Sequence, residues 1–165
     1  KLMRRHPHVF GEATVSDARE VESSWHTIKR AEQAGTGASA LSGVPHDMPS
    51  LSYAQALQER AARTGFDWED VGDVLRKVDE EMDELQRSES AVEREAELGD
   101  LLFSIVNVGR WLDVDAESAL RKASTRFRRR FGLMENLSCE QGPSFESLTM
   151  DEKDSLWEEA KRTER

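Results

Sequence analysis

Residues 69–87 read EDVGDVLRKVDEEMDELQR. After Ser88, Glu89 and Ser90 the chain continues from 91 to 112 as AVEREAELGDLLFSIVNVGRWL. In the first stretch Val71, Val74, Leu75, Val78, Met82 and Leu85 recur at the i, i+3, i+4, i+7 spacing of an amphipathic helix. In the second, Leu101-Leu102-Phe103-Ser104-Ile105-Val106-Asn107-Val108 is apolar nearly all round, the mark of a helix buried on more than one side. The short connection at 88–90 makes the two helices antiparallel neighbours. No segment of the chain alternates at period two, so the class is all-α.

Further helices are expected on either side. Ser50 can cap a helix from Leu51 to about Thr64, with Tyr53, Ala54, Leu57 and Ala61 inward and Gly65 ending it. Downstream, a helix over about 115–136 places Ala119, Leu120, Ala123, Phe127 and Phe131 inward. Gly142-Pro143 then breaks the chain, and a last helix over about 151–162 carries Leu156, Trp157 and Ala160. Upstream, 18–34 reads as a polar helix with Val21, Trp25 and Ile28, and the Gly- and Ser-rich stretch 35–49 as a flexible linker. Trp25, Trp68 and Trp111 are expected to serve packing. Cys139 falls in an expected loop with no role, and His6-Pro7-His8 reads as an ordered turn rather than a metal site.

Composition narrows the functional classes. The 165 residues suffice for one or two small domains, and 34% are charged against 37% hydrophobic. No run approaches the roughly 18 apolar residues of a membrane span, so a soluble protein without a membrane partner is expected. The single Cys139 excludes a disulfide framework or a Cys-rich zinc site and suits a reducing, cytoplasmic compartment. A net charge of −10 argues against a general nucleic-acid partner. That charge is unevenly spread: Asp79 to Asp100 carries ten acids against Arg87 and Arg94, a balance of −8, whereas Arg121 to Arg130 carries +6. Blocks of opposite sign so close together suit a ligand of both signs, such as a metal-complexed polyphosphate.

At roughly 100° per residue, Glu81 and Glu84 share one flank of the 69–87 helix with Lys77, while Asp79, Glu80 and Asp83 point away from it. On the next helix Glu93, Glu97, Asp100, Ser104 and Asn107 form one polar stripe. Antiparallel pairing brings Glu81 and Glu84 to face Glu97 and Asp100. Two like charges about 5.5 Å apart at an effective dielectric of about 20 repel by roughly 3 kcal/mol, so four such groups need a cation or protons. Oxygen-only ligands suit Mg²⁺ or Mn²⁺. Zinc fits poorly, and a di-iron centre would want Glu-x-x-His, which none of the four histidines provides.

Glu80-Glu81-Met82-Asp83-Glu84 followed by Glu97-Leu98-Gly99-Asp100 resembles the E-E-x-x-E … E-x-x-D signature of the all-α nucleoside triphosphate pyrophosphohydrolases. The similarity to the MazG family continues through Lys77-Val78-Asp79, Gly99-Asp100-Leu101-Leu102-Phe103, Ala123-Ser124-Thr125-Arg126-Phe127-Arg128-Arg129-Arg130-Phe131 and Leu156-Trp157-Glu158-Glu159-Ala160-Lys161. It also includes Arg4-Arg5-His6-Pro7-His8-Val9-Phe10, and so covers the chain apart from 35–49.

This resemblance implies that Glu81, Glu84, Glu97 and Asp100 hold Mg²⁺ (or Mn²⁺) and carry catalysis. It also implies that Lys77, Glu80, Arg126, Arg130, Trp157 and Lys161 surround the nucleotide. The reaction implied is hydrolysis of a nucleoside triphosphate, standard or non-standard, to the monophosphate and pyrophosphate. Narrower alternatives are a dUTPase-like or phosphoribosyl-ATP pyrophosphohydrolase, and a different class is a catalytically lapsed helical interaction module.

Several residues keep bland readings beside the functional ones. Arg126 and Arg130 also suit the C-terminal end of a helix dipole. Trp157 also suits the core, and Lys161 also suits solvent. Where relatives often carry a basic residue four positions before the first acid of E-x-x-D, this chain has Glu93.

The start at Lys1 suggests a fragment. Lys1-Leu2-Met3-Arg4-Arg5 resembles Arg126-Phe127-Arg128-Arg129-Arg130, so residues 1–34 read as the tail of a first module and a connecting helix, with 50–165 as the catalytic module. The apolar 101–112 face exceeds what a lone hairpin covers. A four-helix core completed by homodimerisation is therefore expected, with nucleotide between the helices.

Overall fold

A computed structural model of the chain describes residues 39–142 and 144–163. The expected 18–34 helix, the module tail, His6-Pro7-His8 and the first part of the linker lie outside the described residues. Among the described residues the secondary structure is all-helical: α1 (Ser50–Ala62), α2 (Val71–Arg87), α3 (Ala91–Trp111), α4 (Ala116–Gln141), a 3₁₀ turn at Phe145–Ser147, and α5 (Met150–Thr163). The chain divides into two compact units, one with described residues 39–47 and 56–68, the other with 48–55 and the described residues from 69 onward.

In the first unit the Arg60 guanidinium donates to the carbonyls of Ser42 and Gly43, and Val44 is buried. Gly43 sits at φ 82°, in the left-handed region that glycine enters at little cost. The stretch read as a linker thus carries fixed hydrogen bonds from Ser39 onward, where the Ser42 amide donates to the Ser39 carbonyl at 2.9 Å. Helix α1 stops at Ala62 as Gly65, at φ 89°, turns the chain and donates to the Ala62 carbonyl at 2.9 Å. Ser50 is the first helical residue rather than the cap, and the Pro49 carbonyl accepts from the Tyr53 amide.

The second unit holds two helical hairpins. Asp70 caps α2 by accepting from the Asp73 amide, so this helix starts two residues later than its periodicity suggested. Ser88 and Ser90 then make the turn into α3. The Ser88 hydroxyl donates to the carbonyls of Glu84 and Leu85, and Ser90 accepts from the Glu93 amide. Glu93 returns the bond by accepting from the Ser90 amide, closing a capping box. After α3 the chain folds back tightly, with the Val114 amide donating to the Gly109 carbonyl at 2.8 Å. A Cβ on Gly109 would meet the Val114 carbonyl oxygen at 3.2 Å, a tight contact that glycine avoids.

Asp115 caps α4, which runs to Gln141 and ends at Gly142, φ 102°. It exceeds the expected end near 136, so Cys139 lies on a helix, exposed, and not in a loop. Asn136 and Ser138 are weak helix formers, but Met134 and Ser138 are buried, and tertiary packing carries the helix past them. Met134, Leu156 and Ala160 form a core between α4 and α5, joined by Leu133, Leu137, Phe145, Leu148 and Trp157.

The α2–α3 hairpin is less well covered. Val74, Leu101 and Val106 are buried, but Leu75, Met82, Leu98, Leu102, Phe103 and Ile105 are each more than 40% exposed. Helix α3 is therefore not buried all round within one chain, as its composition led one to expect. On α4, Leu120 and Phe127, expected inward, are 55% and 58% exposed. Helical periodicity finds the apolar face but does not say which neighbour covers it.

Candidate metal and phosphate site

The α2–α3 pairing brings carboxylates together from both helices. Oxygens of Glu81, Glu97 and Asp100 lie within 4.8 Å of one another. Their burial is graded: Glu81 is 4% exposed, Glu97 half-buried and Asp100 open to solvent. Glu84, one turn beyond Glu81, is half-buried and falls outside that trio, yet its charge acts on Glu97. Burial foremost, then the charges of Glu84, Asp100, Glu81 and Glu93, hold the Glu97 carboxyl above the usual carboxylate range.

The donor set fits a hard divalent ion. It consists of carboxylate oxygens alone, one of them buried, and the surrounding charge is left unbalanced. No ion pair with a described residue neutralises Glu84, Glu97 or Asp100. The partnered acid is Glu81, whose carboxylate accepts from Lys77 Nζ at 2.6 Å. The same ammonium reaches Glu80 at 2.8 Å. Hydrogen bonds to Glu80 and then Glu81 push the Lys77 ammonium well above its ordinary range, so it stays charged. Glu80, placed off this flank by helical angle, is thus tied to the site through Lys77, because the lysine stem spans both i+3 and i+4.

The polar stripe on α3 divides along its length. Glu93 serves the helix start, with hydrogen bonds from the Glu89 and Ser90 amides that draw its carboxyl below the usual range. Ser104 is buried, and Asn107 accepts from Arg110 Nε at 2.9 Å. The departure from a basic residue at position 93 therefore has a local structural purpose. Its signal, Ser90-x-x-Glu93, stands in the sequence.

On the second hairpin, Ala123, Ser124, Arg126, Phe127, Arg130 and Trp157 line an open hollow of about 430 Å³. The spacing 123, 126, 127, 130 is one face of α4. Arg130 lies over the Trp157 ring at 5.5 Å, and Phe127 meets the same ring at 5.6 Å and Phe131 at 6.0 Å. Trp157 both packs on the Met134–Leu156–Ala160 core and lines the hollow, so the two uses weighed for it coexist. Ala123, Ser124 and Phe127 join a site in which only Arg126, Arg130 and Trp157 were expected. Lys161 pairs with Glu158 on its own helix and is not among the residues lining the hollow. A hollow with two guanidinium groups and aromatic rings offers bidentate donors for phosphate and flat apolar surface for a base.

Curated relatives bear on these features. The chain is 44% identical over 161 residues to a Thermotoga maritima protein named nucleoside triphosphate pyrophosphohydrolase/pyrophosphatase MazG, which covers 98% of the chain and 62% of that protein. It is 39% identical over 170 residues to the nucleoside triphosphate pyrophosphohydrolase of Escherichia coli K12, covering 99% of the chain and 65% of that protein. It is also 44% identical over 169 residues to Bacillus subtilis YabN, an uncharacterised protein, of which it spans 35%. The chain therefore spans less than two thirds of the length of these relatives. No family model matches it. Over nearly all of its length, with an all-helical fold that brings Glu81, Glu97 and Asp100 to one place, this chain is similar to proteins named nucleoside triphosphate pyrophosphohydrolase, the Thermotoga one MazG.

Proposed function

We propose that this chain carries a Mg²⁺-dependent activity that hydrolyses nucleoside triphosphates to the monophosphate and pyrophosphate. The observation that carries the reading is the gathering of Glu81, Glu97 and Asp100 from two helices, with Glu81 buried and Lys77 at its side. The names of the Thermotoga and Escherichia relatives support the substrate class.

In this reading Glu81, Glu97 and Asp100, with Glu84 beside them, hold the ion. Bound there, the ion supplies positive charge to phosphoryl oxygens and eases deprotonation of water. One of these carboxylates orients an attacking water and accepts its proton as the bond between the α- and β-phosphates breaks. Arg126 and Arg130, one turn apart, offset the charge that builds on the polyphosphate, while Trp157 and Phe127 give the base a surface. Stacking alone does not read base edges, so a broad range of nucleotides is expected. In this reading Lys77 and Glu80 belong with the acidic group, and Lys161 serves the nucleotide from α5.

The exposed apolar rows on α2 and α3 support a homodimer in which a second copy covers Leu98, Leu102 and Ile105. No helix among the described residues is long and apolar enough to cross a membrane, and the reading places the activity in the cytoplasm. Residues 50–165 act as the catalytic module.

A pyrophosphate-release assay over a panel of ribo- and deoxyribonucleoside triphosphates, with and without Mg²⁺, tests the proposal. Mg²⁺-dependent release of pyrophosphate and monophosphate is expected. A folded chain that turns over no member of the panel would favour the regulatory alternative.

A further inference from the structure

Lys77 occupies an unusual position for a residue that faces a polyphosphate. Its ammonium is bonded to Glu81, one of the three carboxylates grouped for a cation, at 2.6 Å. Resting on the reading of that group as a metal site, we propose that Lys77 is its exchangeable counter-ion. It holds Glu81 while no divalent ion is bound, then yields Glu81 to the ion and turns its own charge toward the incoming anion.

Four observations support this exchange. First, Glu81 is 4% exposed, and a carboxylate that deep needs a partner whether or not metal is present. Among the described residues Lys77 is the cation that pairs with it. Second, the contact is easily given up. Lysine lies four residues before glutamate on one helix, the weaker orientation of such a pair, and its side chain is 31% exposed on a flexible stem. Third, Glu80, with a side chain 56% exposed, accepts from the same ammonium at 2.8 Å. Lys77 therefore keeps a partner when Glu81 is taken. Fourth, a single ammonium touches one member of the trio, whereas a divalent ion brings two charges within reach of all three oxygens. The exchange needs only a side-chain rotation on α2.

The test is Mn²⁺ binding without nucleotide, read from the electron paramagnetic resonance signal of free Mn²⁺ in titrations of the 165-residue chain. Lys77→Met removes the competitor, so Mn²⁺ should bind about two- to fivefold more tightly, the scale of one partly exposed ion pair. Asp100→Asn should abolish binding at this site. Unchanged or weaker Mn²⁺ affinity in Lys77→Met, with Asp100→Asn still abolishing it, overturns the exchange and leaves the metal reading standing. Wild-type affinity in Asp100→Asn overturns the metal reading, and the exchange with it. Should Lys77→Met fail to fold, the wild-type chain crystallised with Mn²⁺ decides the matter. Lys77 Nζ should then lie beyond hydrogen-bond distance of Glu81, and an intact bond beside a bound ion overturns the proposal.

Discussion

The two hairpins of the second unit bury opposite things. Between α4 and α5 lies an apolar core of Met134, Leu156 and Ala160, sealed by Leu133, Leu137, Phe145, Leu148 and Trp157. Its basic and aromatic hollow lies at the edge of that core. The α2–α3 hairpin instead buries Glu81 beside Val74, Leu101 and Val106 and turns Leu75, Met82, Leu98, Leu102 and Ile105 outward. One hairpin is stabilised by what it contains. The other is left with two deficits, unbalanced negative charge at Glu84, Glu97 and Asp100 around the buried Glu81 and uncovered apolar surface outside. In the proposed function a divalent cation would answer the first and a second copy the second.

Substitutions should separate the hairpins accordingly. The largest effect is expected from Asp100→Asn, which should lower kcat/KM at least about 100-fold, since metal ligands contribute several kcal/mol of charge stabilisation. Its helical circular dichroism should be preserved, because Asp100 is exposed and bears no packing. A fall in helicity matching the loss of activity would break the distinction. Leu156→Ala should reverse the pattern. It removes part of a formed core and should lower unfolding free energy by about 2–5 kcal/mol in a denaturant melt.

Arg130→Lys sharpens the role of the hollow. Lysine keeps the charge but loses the planar fork and the stack on Trp157, so kcat/KM should fall roughly tenfold, about 1.4 kcal/mol. Thermal stability should change little.

The smallest effect concerns acid sensitivity. Glu93 is drawn below the usual carboxylate range by the Glu89 and Ser90 amides, so its stabilisation is fully present above that range and is lost as pH falls through its lowered value. Glu97, four residues on, is held above the range, so its charged form opposes folding and that opposition is relieved on acidification. Melting temperature measured across the carboxylate titration range, about pH 3 to 7, should thus respond in opposite senses to Glu93→Ala and Glu97→Gln. In the absence of divalent ion, Glu97→Gln should raise the melting temperature at neutral pH and Glu93→Ala lower it.

Much of this was legible before any coordinates. The periodicity of 69–87 and 91–112 locates α2 and α3 to within two residues, and Gly65 follows the end of α1 as expected, whereas the helix expected to end near 136 runs on to Gln141 before Gly142 stops it. The facing of Glu81 across to Glu97 and Asp100 followed from the three-residue connection and the angle per residue. Helical angle puts Glu80 off the flank of Glu81, and it is exposed and outside the carboxylate group, but angle alone does not say that Lys77 reaches back to it. Reading Glu93 as one member of a polar stripe passes over Ser90-x-x-Glu93, a capping box written in the sequence. Cys139 falls in an expected loop because the helix is expected to end near 136, at the weak formers Asn136 and Ser138, whereas burial of Met134 and Ser138 goes with a helix that runs on to Gln141.

By itself the sequence determined the helical class, the hairpin that pairs the two acidic segments, and the choice of oxygen donors over nitrogen or sulfur. These follow from period, connection length and residue type, which are local properties of the chain. Only the tertiary structure decided that Glu81 is buried while Asp100 is open, that one ammonium bridges Glu80 and Glu81, and that Trp157 serves core and hollow together. Burial depends on which element covers each face, information that resides in the packing of distant segments, while the pairing depends on how one lysine stem lies between its i+3 and i+4 neighbours.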